Sequence, residues 1–279
     1  MTDAERRGRP APGCPAHSGL PRRAFLGVLG VGLLASCASR PPQPGAPAAD
    51  ALAPPAPTEP PIPPASPGPS RTLFSGPAAG GRIALTVDDG TCADCVRGYV
   101  DFVQRSGIHL TFSPNGTYGR EWEPHAARLA PLIAAGQVQV MNHTFSHLKL
   151  TTLPDDRVRS ELERNEEWAE RVFGVTTRPY YRPPYGVHDP RVDGIAAELG
   201  WTRSVLWSGS YSDSTTITPE FLMAQAEKYL KPGTIMLGHA NHPTVLGLLD
   251  RIENLIRERG LQPMTLDEMF GTSRAGGIA

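Results

Sequence analysis

Residues 82–90 read RIALTVDDG, a short apolar run that leads directly into two adjacent carboxylates and a glycine. The run has the length and the partly β-branched composition of a buried strand. The glycine after the two acids predicts a sharp turn at the end of that strand. Because successive side chains of a strand point to opposite faces, we expect Asp88 and Asp89 to act differently, one as a proton acceptor and one as a metal ligand.

Strand-like and helix-like segments alternate along the chain after this run. Predicted strands are residues 83–87, 109–113, 138–142, 180–182, 204–207, 234–237 and 262–266, and predicted helices are 96–105, 124–135, 154–173, 190–199, 219–230 and 245–259. This alternation predicts an α/β fold with a parallel sheet and outer helices. Seven strands in this order favour a closed or nearly closed barrel, whose functional side chains lie at the C-terminal ends of the strands.

The N-terminal region has the pattern of a targeting segment. Arg22 and Arg23 precede an apolar stretch at residues 25–35, and this arrangement resembles a twin-arginine export signal. Cys37 ends a Leu-Ala-Ser-Cys tetrapeptide that resembles a lipobox. We therefore expect residues 1–37 to be an export signal and Cys37 to carry a lipid; a signal cleaved elsewhere and an uncleaved anchor are the alternatives.

A Pro/Ala-rich linker is expected at residues 38–71, because thirteen of the thirty residues from 41 to 70 are proline. Such a composition cannot bury a core and predicts a disordered spacer. The globular domain then covers residues 72–270, and 271–279 form a flexible tail. With the lipid, this organisation predicts a domain anchored to the outer face of the bacterial cytoplasmic membrane. The net charge of −1 gives no reason to expect a nucleic-acid partner.

A pair of histidines follows the third predicted strand. Residues 142–147 read NHTFSH, which places His143 and His147 four positions apart, a spacing that puts both on one side of a helical turn. With one carboxylate they make a His₂Asp set, a three-ligand pattern that leaves one position on a metal open. A pair of surface or capping histidines is the alternative.

Two more polar motifs end predicted strands. Residues 182–186 read RPPYG, and the prolines fix the backbone so that Arg182 can hold a carboxylate while a backbone N–H faces a substrate oxygen. Residues 237–239 read LGH, and His239 is suited to proton transfer near neutral pH. A Pro-rich surface turn and a structural histidine are the alternatives.

In this order, the four motifs resemble those of the polysaccharide deacetylase family, the NodB-homology enzymes of carbohydrate esterase family four, over about residues 82–270. The resemblance implies a distorted (β/α)₇-type barrel. It also implies the following roles: Asp89, His143 and His147 bind a divalent metal, usually zinc; Asp88 is the general base; Arg182 orients Asp88; the backbone N–H of Tyr185 helps to stabilise the oxyanion; Leu237 borders the acetyl pocket; and His239 is the general acid.

The chain departs from the family pattern after the fifth predicted strand, where Asp-x-x-Asp-Trp is usual. Here Ser210 and Ser214 replace two of those residues, and Asp213 is expected to stand for the second aspartate and to tune His239. Trp207 and Tyr211 could stack on a sugar, although a place in the core is the alternative for a tryptophan.

Cys92 and Cys95 follow the paired aspartates and form a second departure. In an exported protein we expect them to form a short-loop disulfide that rigidifies the rim of the site. A second metal site, a redox motif and two unpaired thiols are the alternatives.

These observations favour a metal-dependent hydrolase, with zinc as the expected cofactor, that removes N-acetyl groups from a cell-surface polysaccharide. Peptidoglycan is the nearest such polymer for a lipid-anchored enzyme, which we expect to be a monomer. Asp88 would take the proton of an activated water, and His239 would protonate the leaving amine. Hydrolysis of O-acetyl esters or small amides, and non-catalytic glycan binding by a lipoprotein, are the alternatives.

Overall fold

The structure is a computed structural model that describes residues 70–272. Within that range the strands are β1 (Arg71–Leu73), β2 (Arg82–Asp89), β3 (Leu110–Pro114), β4 (Val138–Val140), β5 (Tyr180–Tyr181), β6 (Arg203–Val205), β7 (Gly209–Ser210), β8 (Ile235–His239) and β9 (Gln262–Met264). The helices are α1 (Ala93–Ser106), α2 (Gly119–Trp122), α3 (Ala126–Ala134), α4 (Asp155–Phe173), α5 (Pro190–Glu198), α6 (Pro219–Tyr229), α7 (Leu249–Glu258) and α8 (Leu266–Phe270).

Strand β2 is the centre of the larger sheet. It pairs with β8 on one side and with β3 and β9 on the other, and the sheet runs β4-β3-β2-β8-β7 with β9 beside the start of β2. A smaller sheet runs β1-β6-β5. The ladders of both sheets are parallel. The predicted α/β class with parallel strands is therefore confirmed.

Single bridges join the two sheets in the described part of the chain. Asn142 bridges to Tyr181 beside β4 and β5, and Ser75 bridges to Thr234 near β1 and β8. The barrel-like arrangement of this chain therefore consists of two adjoining parallel sheets, with isolated bridges where a continuous ladder would close the barrel.

Burial explains why β2 occupies the centre. Every residue from Ile83 to Asp89 is buried, as expected for a strand covered on both faces. Helix α1 packs on this sheet through an apolar face that includes Val96, Tyr99 and Val103. It ends at Gly107, whose φ of 70° suits the left-handed conformation that ends many helices.

All seven predicted strands are present, but the sequence pattern does not predict the two short strands β1 and β7. Strands β1 and β7 have three and two residues, too few to leave a periodic pattern. The last predicted strand, residues 262–266, ends at Met264 because Thr265 caps α8 through a reciprocal capping box with Glu268.

The predicted export signal, the lipidation at Cys37 and nearly all of the linker lie outside the described residues, as does the tail from 273 onward. The predicted boundaries of the linker and of the tail fall within the described residues. Arg71, assigned to the linker, begins β1, and Gly271, assigned to the tail, ends α8. None of the helices between residues 70 and 272 combines the length and apolar character needed to cross a membrane.

Candidate active site

The C-terminal ends of several strands meet at one cavity of about 670 Å³. Asp88 and Asp89 end β2, and Asp88 lies opposite His239 at the end of β8 in the ladder. The cavity is lined by side chains from each of the predicted motifs: Asp88, Asp89, His143, His147, Arg182, Tyr185, Leu237 and His239. The parallel topology therefore gathers residues that are far apart in the sequence.

Asp89, His143 and His147 form a compact ligand set. One atom of each lies within 4.8 Å of the others, and Asp89 Oδ1 is 3.4 Å from Nε2 of each histidine. That oxygen is buried and has no hydrogen-bond partner among residues 70–272. A buried carboxylate oxygen is costly to leave unpaired, so the set fits a divalent cation.

The imidazole of His143 has a defined orientation. Its Nδ1 lies 2.8 Å from the carbonyl oxygen of Arg182, which can only accept, so Nδ1 carries the hydrogen and Nε2 faces Asp89. Burial lowers the pKa of His143, but Asp88 and Asp89 raise it more, and the net pKa is above its usual value. Burial opposes ionisation of Asp89, yet contacts with His143 and His147 bring its pKa well below the usual range.

The predicted helical turn for the two histidines is wrong. They lie in a loop after β4, and Thr144 and His147 have φ values of 66° and 55° that no α-helix allows. Asn115 holds this loop by donating to the carbonyl oxygens of His143 and Thr144. The left-handed residues bring the rings together, with centroids 4.9 Å apart.

The prediction that Asp88 and Asp89 point to opposite faces is also wrong. Asp89 has a φ of 66°, so the strand alternation stops at this residue. Asp88 Oδ2 and Asp89 Oδ1 consequently lie 3.5 Å and 3.4 Å from the same atom, His143 Nε2. The two carboxylates face one centre.

Arg182 contacts Asp88 directly. Its Nη1 lies 2.6 Å from Asp88 Oδ1 and donates to Thr86 Oγ1 at 3.0 Å, while Nε donates to the carbonyl oxygen of Val205. The side chain of Arg182 is fully shielded from solvent. These bonds fix the guanidinium and leave the second oxygen of Asp88 facing the ligand set.

Asp213 contacts His239 through both carboxylate oxygens. Oδ1 is 2.8 Å from His239 Nδ1, and Oδ2 accepts from the backbone N–H of the same residue at 3.1 Å. Burial lowers the pKa of His239, whereas the hydrogen bond to Asp213 and the charge of Asp88 raise it more, so the net pKa is raised. With Nδ1 engaged, Nε2 is the nitrogen left for the cavity.

Of the remaining predicted residues, Tyr185, Leu237 and Trp207 line the cavity and Tyr211 does not. Tyr185 has a φ of 62°, is 64% exposed and packs its ring edge-on against His147. Leu237 is buried and lines the cavity. Trp207 is half-buried and lines the cavity, whereas Tyr211 is buried in the core and is absent from the lining.

Cys92 and Cys95 are joined by a disulfide at the start of α1. Cys92 is the N-cap of this helix, and its backbone N–H donates to the carbonyl oxygen of Ala240, the residue after His239. The disulfide therefore lies on the loop that leaves the paired aspartates.

Two residues whose side chains donate to Asp89 were not predicted. Asn241 contacts Asp89, Gly90 and Thr91, and Trp122 Nε1 donates to the backbone oxygen of Asp89 at 2.8 Å. Asn241 lies just beyond the Leu-Gly-His motif, and that position at a strand end was its only sequence signal. Trp122 lies in a short helix and leaves no such signal.

Known proteins share this fold and sequence pattern. The model of the polysaccharide deacetylase family matches residues 75–204. The chain is 27% identical over 210 residues to the peptidoglycan-N-acetylglucosamine deacetylase of Bacillus cereus, covering 72% of each chain. It is 30% identical over 188 residues to an uncharacterized protein of Streptomyces coelicolor, covering 66% of this chain and 71% of that one.

Among solved structures, the Bc1960 peptidoglycan N-acetylglucosamine deacetylase is similar, with a TM-score of 0.65 and 25% identity. The match covers 74% of this chain and 95% of that one. The family match, the two sequence relatives and the shared fold agree with the motif order. The chain therefore belongs to the polysaccharide deacetylase family and is, by enzyme class, a hydrolase of non-peptide carbon–nitrogen bonds.

Proposed function

We propose that this chain is a metal-dependent deacetylase that removes N-acetyl groups from N-acetylglucosamine residues of a cell-surface glycan, with peptidoglycan as the first candidate. The observation that carries the proposal is the convergence of Asp88, His239 and the Asp89, His143 and His147 set on one cavity. The peptidoglycan and chitin deacetylases among the relatives support the choice of an N-acetylated glycan.

Asp89, His143 and His147 would hold the cation, and zinc suits one carboxylate and two imidazoles. When bound there, a divalent cation would polarise the acetyl carbonyl and acidify a water molecule. The protein supplies the orientation, because the hydrogen bond from His143 Nδ1 to the carbonyl oxygen of Arg182 directs Nε2 toward Asp89.

Asp88 would accept the proton of the attacking water. Arg182 holds Oδ1 at 2.6 Å, which leaves Oδ2 to face the reacting centre as a base. The water oxygen then bonds to the acetyl carbon, and negative charge develops on the carbonyl oxygen. Tyr185 follows two prolines that lack an N–H, so its amide is the first donor of that turn and is suited to this oxyanion.

His239 would complete the reaction by donating a proton from Nε2 to the glycan nitrogen. The C–N bond breaks with its electron pair on nitrogen, and acetate and a free amine are released. The contact with Asp213 favours the protonated imidazole that this step needs. Each proton transfer of this kind contributes about 10²–10⁴-fold to the rate.

The test is acetate release from N-acetylglucosamine oligomers and peptidoglycan fragments, compared with an O-acetylated oligosaccharide and a small amide. We expect release from the N-acetylated glycans, loss after treatment with a chelator, and recovery when zinc is added. Release from only the O-acetylated substrate would reject the proposed substrate class. If no acetate is released from any substrate while glycan binding is retained, the proposal that this chain is an enzyme is rejected.

We also propose that the protein is exported and anchored by a lipid on Cys37. The support is the sequence of residues 22–37, which lie outside the part of the chain that the structure describes. In a bacterial host, the full chain should enter the membrane fraction and label with a radioactive fatty acid. Cys37→Ala should remove the label, and equal labelling of both proteins would reject the anchor.

A further inference from the structure

Asn241 lies two residues beyond the end of β8 and lines the same cavity as the ligand set. Its side-chain amide makes four hydrogen bonds within the described residues, and their partners are Asp89, Gly90 and Thr91. The amide therefore ties the loop after β8 to the loop after β2, where the carboxylate ligand is found.

The chemistry of its partners determines which way the amide faces. Oδ1 is 3.3 Å from Gly90 N and 3.1 Å from Thr91 N, and backbone amides can only donate. The oxygen must therefore point toward that loop. Nδ2 consequently points toward Asp89 and donates to Oδ2 at 2.7 Å.

This bond gives the two oxygens of Asp89 different environments. Oδ2 accepts from Asn241, whereas Oδ1 is buried, has no hydrogen-bond partner in residues 70–272, and lies 3.4 Å from Nε2 of His143 and of His147. One oxygen is held by the protein and the other is directed at the two imidazoles. The carboxylate is thus arranged to offer one oxygen to a cation.

The backbone of Asp89 is held by a different residue, Trp122. Its φ of 66° is uncommon for a residue other than glycine, and Trp122 Nε1 donates to its carbonyl oxygen at 2.8 Å. Gly90 follows with a φ of 112°, and a Cβ at that residue would lie 2.0 Å from Trp122 Nε1. Trp122 therefore holds the main chain of Asp89, while Asn241 holds the side chain.

We propose that Asn241 is a positioning residue that sets the affinity of the Asp89, His143 and His147 site for its metal. This inference rests on the metal site of the proposed function. By occupying Oδ2, Asn241 keeps the Asp89 carboxylate from rotating away from the histidines or from placing both oxygens on the cation. Loss of a partner that holds a ligand in this way typically weakens metal binding about 10–100-fold.

The test compares metal-free wild type, Asn241→Ala and Asn254→Ala in a zinc titration against a chromophoric chelator. Asn254 is the control, because it is exposed on α7 and its side chain contacts Arg257. We expect the zinc dissociation constant of Asn241→Ala to rise about 10–100-fold and that of Asn254→Ala to stay at the wild-type value. The visible spectrum of bound Co²⁺ should also change in Asn241→Ala, since Asp89 can then coordinate differently.

A double-mutant cycle tests whether Asn241→Ala changes the zinc affinity by way of Asp89. In an Asp89→Ala background no carboxylate remains to be held, so Asn241→Ala should cause no further loss of zinc affinity. Additive losses would overturn the proposal, as would wild-type zinc affinity and an unchanged Co²⁺ spectrum in the single variant. If Asn241→Ala does not fold, Asn241→Ser is measured instead, because its hydroxyl is too short to reach Asp89.

The wild-type titration separates the two proposals. If wild type binds no zinc, the metal site of the proposed function fails and the role of Asn241 fails with it. If wild type binds zinc and Asn241→Ala binds it equally well, only the positioning role is rejected.

Discussion

The carboxylate of Asp213 holds His239 at two points, with Oδ1 2.8 Å from the ring Nδ1 and Oδ2 3.1 Å from the backbone nitrogen. One contact fixes the ring and its charge, and the other fixes the main chain. Asp213 is itself buried, so water does not screen the pair effectively. This arrangement makes the protonation of His239 dependent on a residue that stands in an altered family motif.

The first prediction concerns the pH dependence of Asp213→Asn. Burial lowers the pKa of His239, but Asp213 raises it above its usual value, and a neutral amide removes that attraction. A general acid works only while it is protonated, so activity is lost as pH rises through its pKa. In Asp213→Asn, the alkaline limb of the kcat/KM profile should therefore move to lower pH.

Asp250→Asn is the control for this profile, because Asp250 is exposed on α7 and pairs with Arg105. Its alkaline limb should coincide with that of wild type. An unchanged limb in Asp213→Asn would contradict the prediction, because Asp213 would then not set the pKa of the group whose deprotonation ends activity.

The second prediction concerns Asp88→Asn. The amide cannot take a proton from water, so kcat/KM should fall about 10²–10⁴-fold. Asp88 is not one of the three proposed ligands, so the variant should still bind one equivalent of zinc. Asp94→Asn, an exposed residue on α1, should keep wild-type activity. Loss of the zinc together with the activity would instead make Asp88 a ligand.

The third prediction concerns the buried ion pair of Arg182 and Asp88, whose side chains are 0% and 4% exposed. Arg182→Met leaves the buried charge of Asp88 without its guanidinium partner, so it should lower the free energy of unfolding by about 3–5 kcal/mol. Asp88→Asn added to Arg182→Met should recover part of this loss, because the orphaned charge is then absent. Urea denaturation of wild type, Arg182→Met and the double variant Asp88→Asn/Arg182→Met measures both effects.

An exposed pair provides the comparison. Arg97 lies 3.0 Å from Asp94, and both side chains are more than half exposed. Arg97→Met should therefore change the free energy of unfolding by less than about 1 kcal/mol. Equal effects of Arg97→Met and Arg182→Met would contradict the proposed importance of the buried pair.

The parallel arrangement and the grouping of the motifs could be predicted from the sequence because both depend on pattern. Alternating segments imply parallel strands, and parallel strands bring their C-terminal ends to one edge. Asp88, His143, Arg182 and His239 each follow an apolar run, so their convergence needed no knowledge of individual contacts.

The local geometry could not be predicted in the same way, because it depends on backbone conformations imposed by distant residues. Asp89 and His147 adopt positive φ values, which are uncommon for any residue other than glycine and cannot be read from a strand or helix pattern. Trp122 and Asn115 hold the segments involved, and each comes from a different part of the chain. Rules for strands and helices therefore failed at Asp89 and His147.

The last prediction concerns the disulfide between Cys92 and Cys95. It closes a four-residue loop, for which the chain-entropy model gives a stabilisation of about 2 kcal/mol. Cys92→Ser/Cys95→Ser should lose about this amount in urea denaturation, and a dithiol reductant should destabilise wild type equally while leaving the variant unchanged. Because the backbone N–H of Cys92 donates to Ala240, the amides of residues 90–95 should also exchange hydrogen faster in the variant. Identical denaturation of oxidised wild type and the variant would mean that the disulfide contributes nothing to stability.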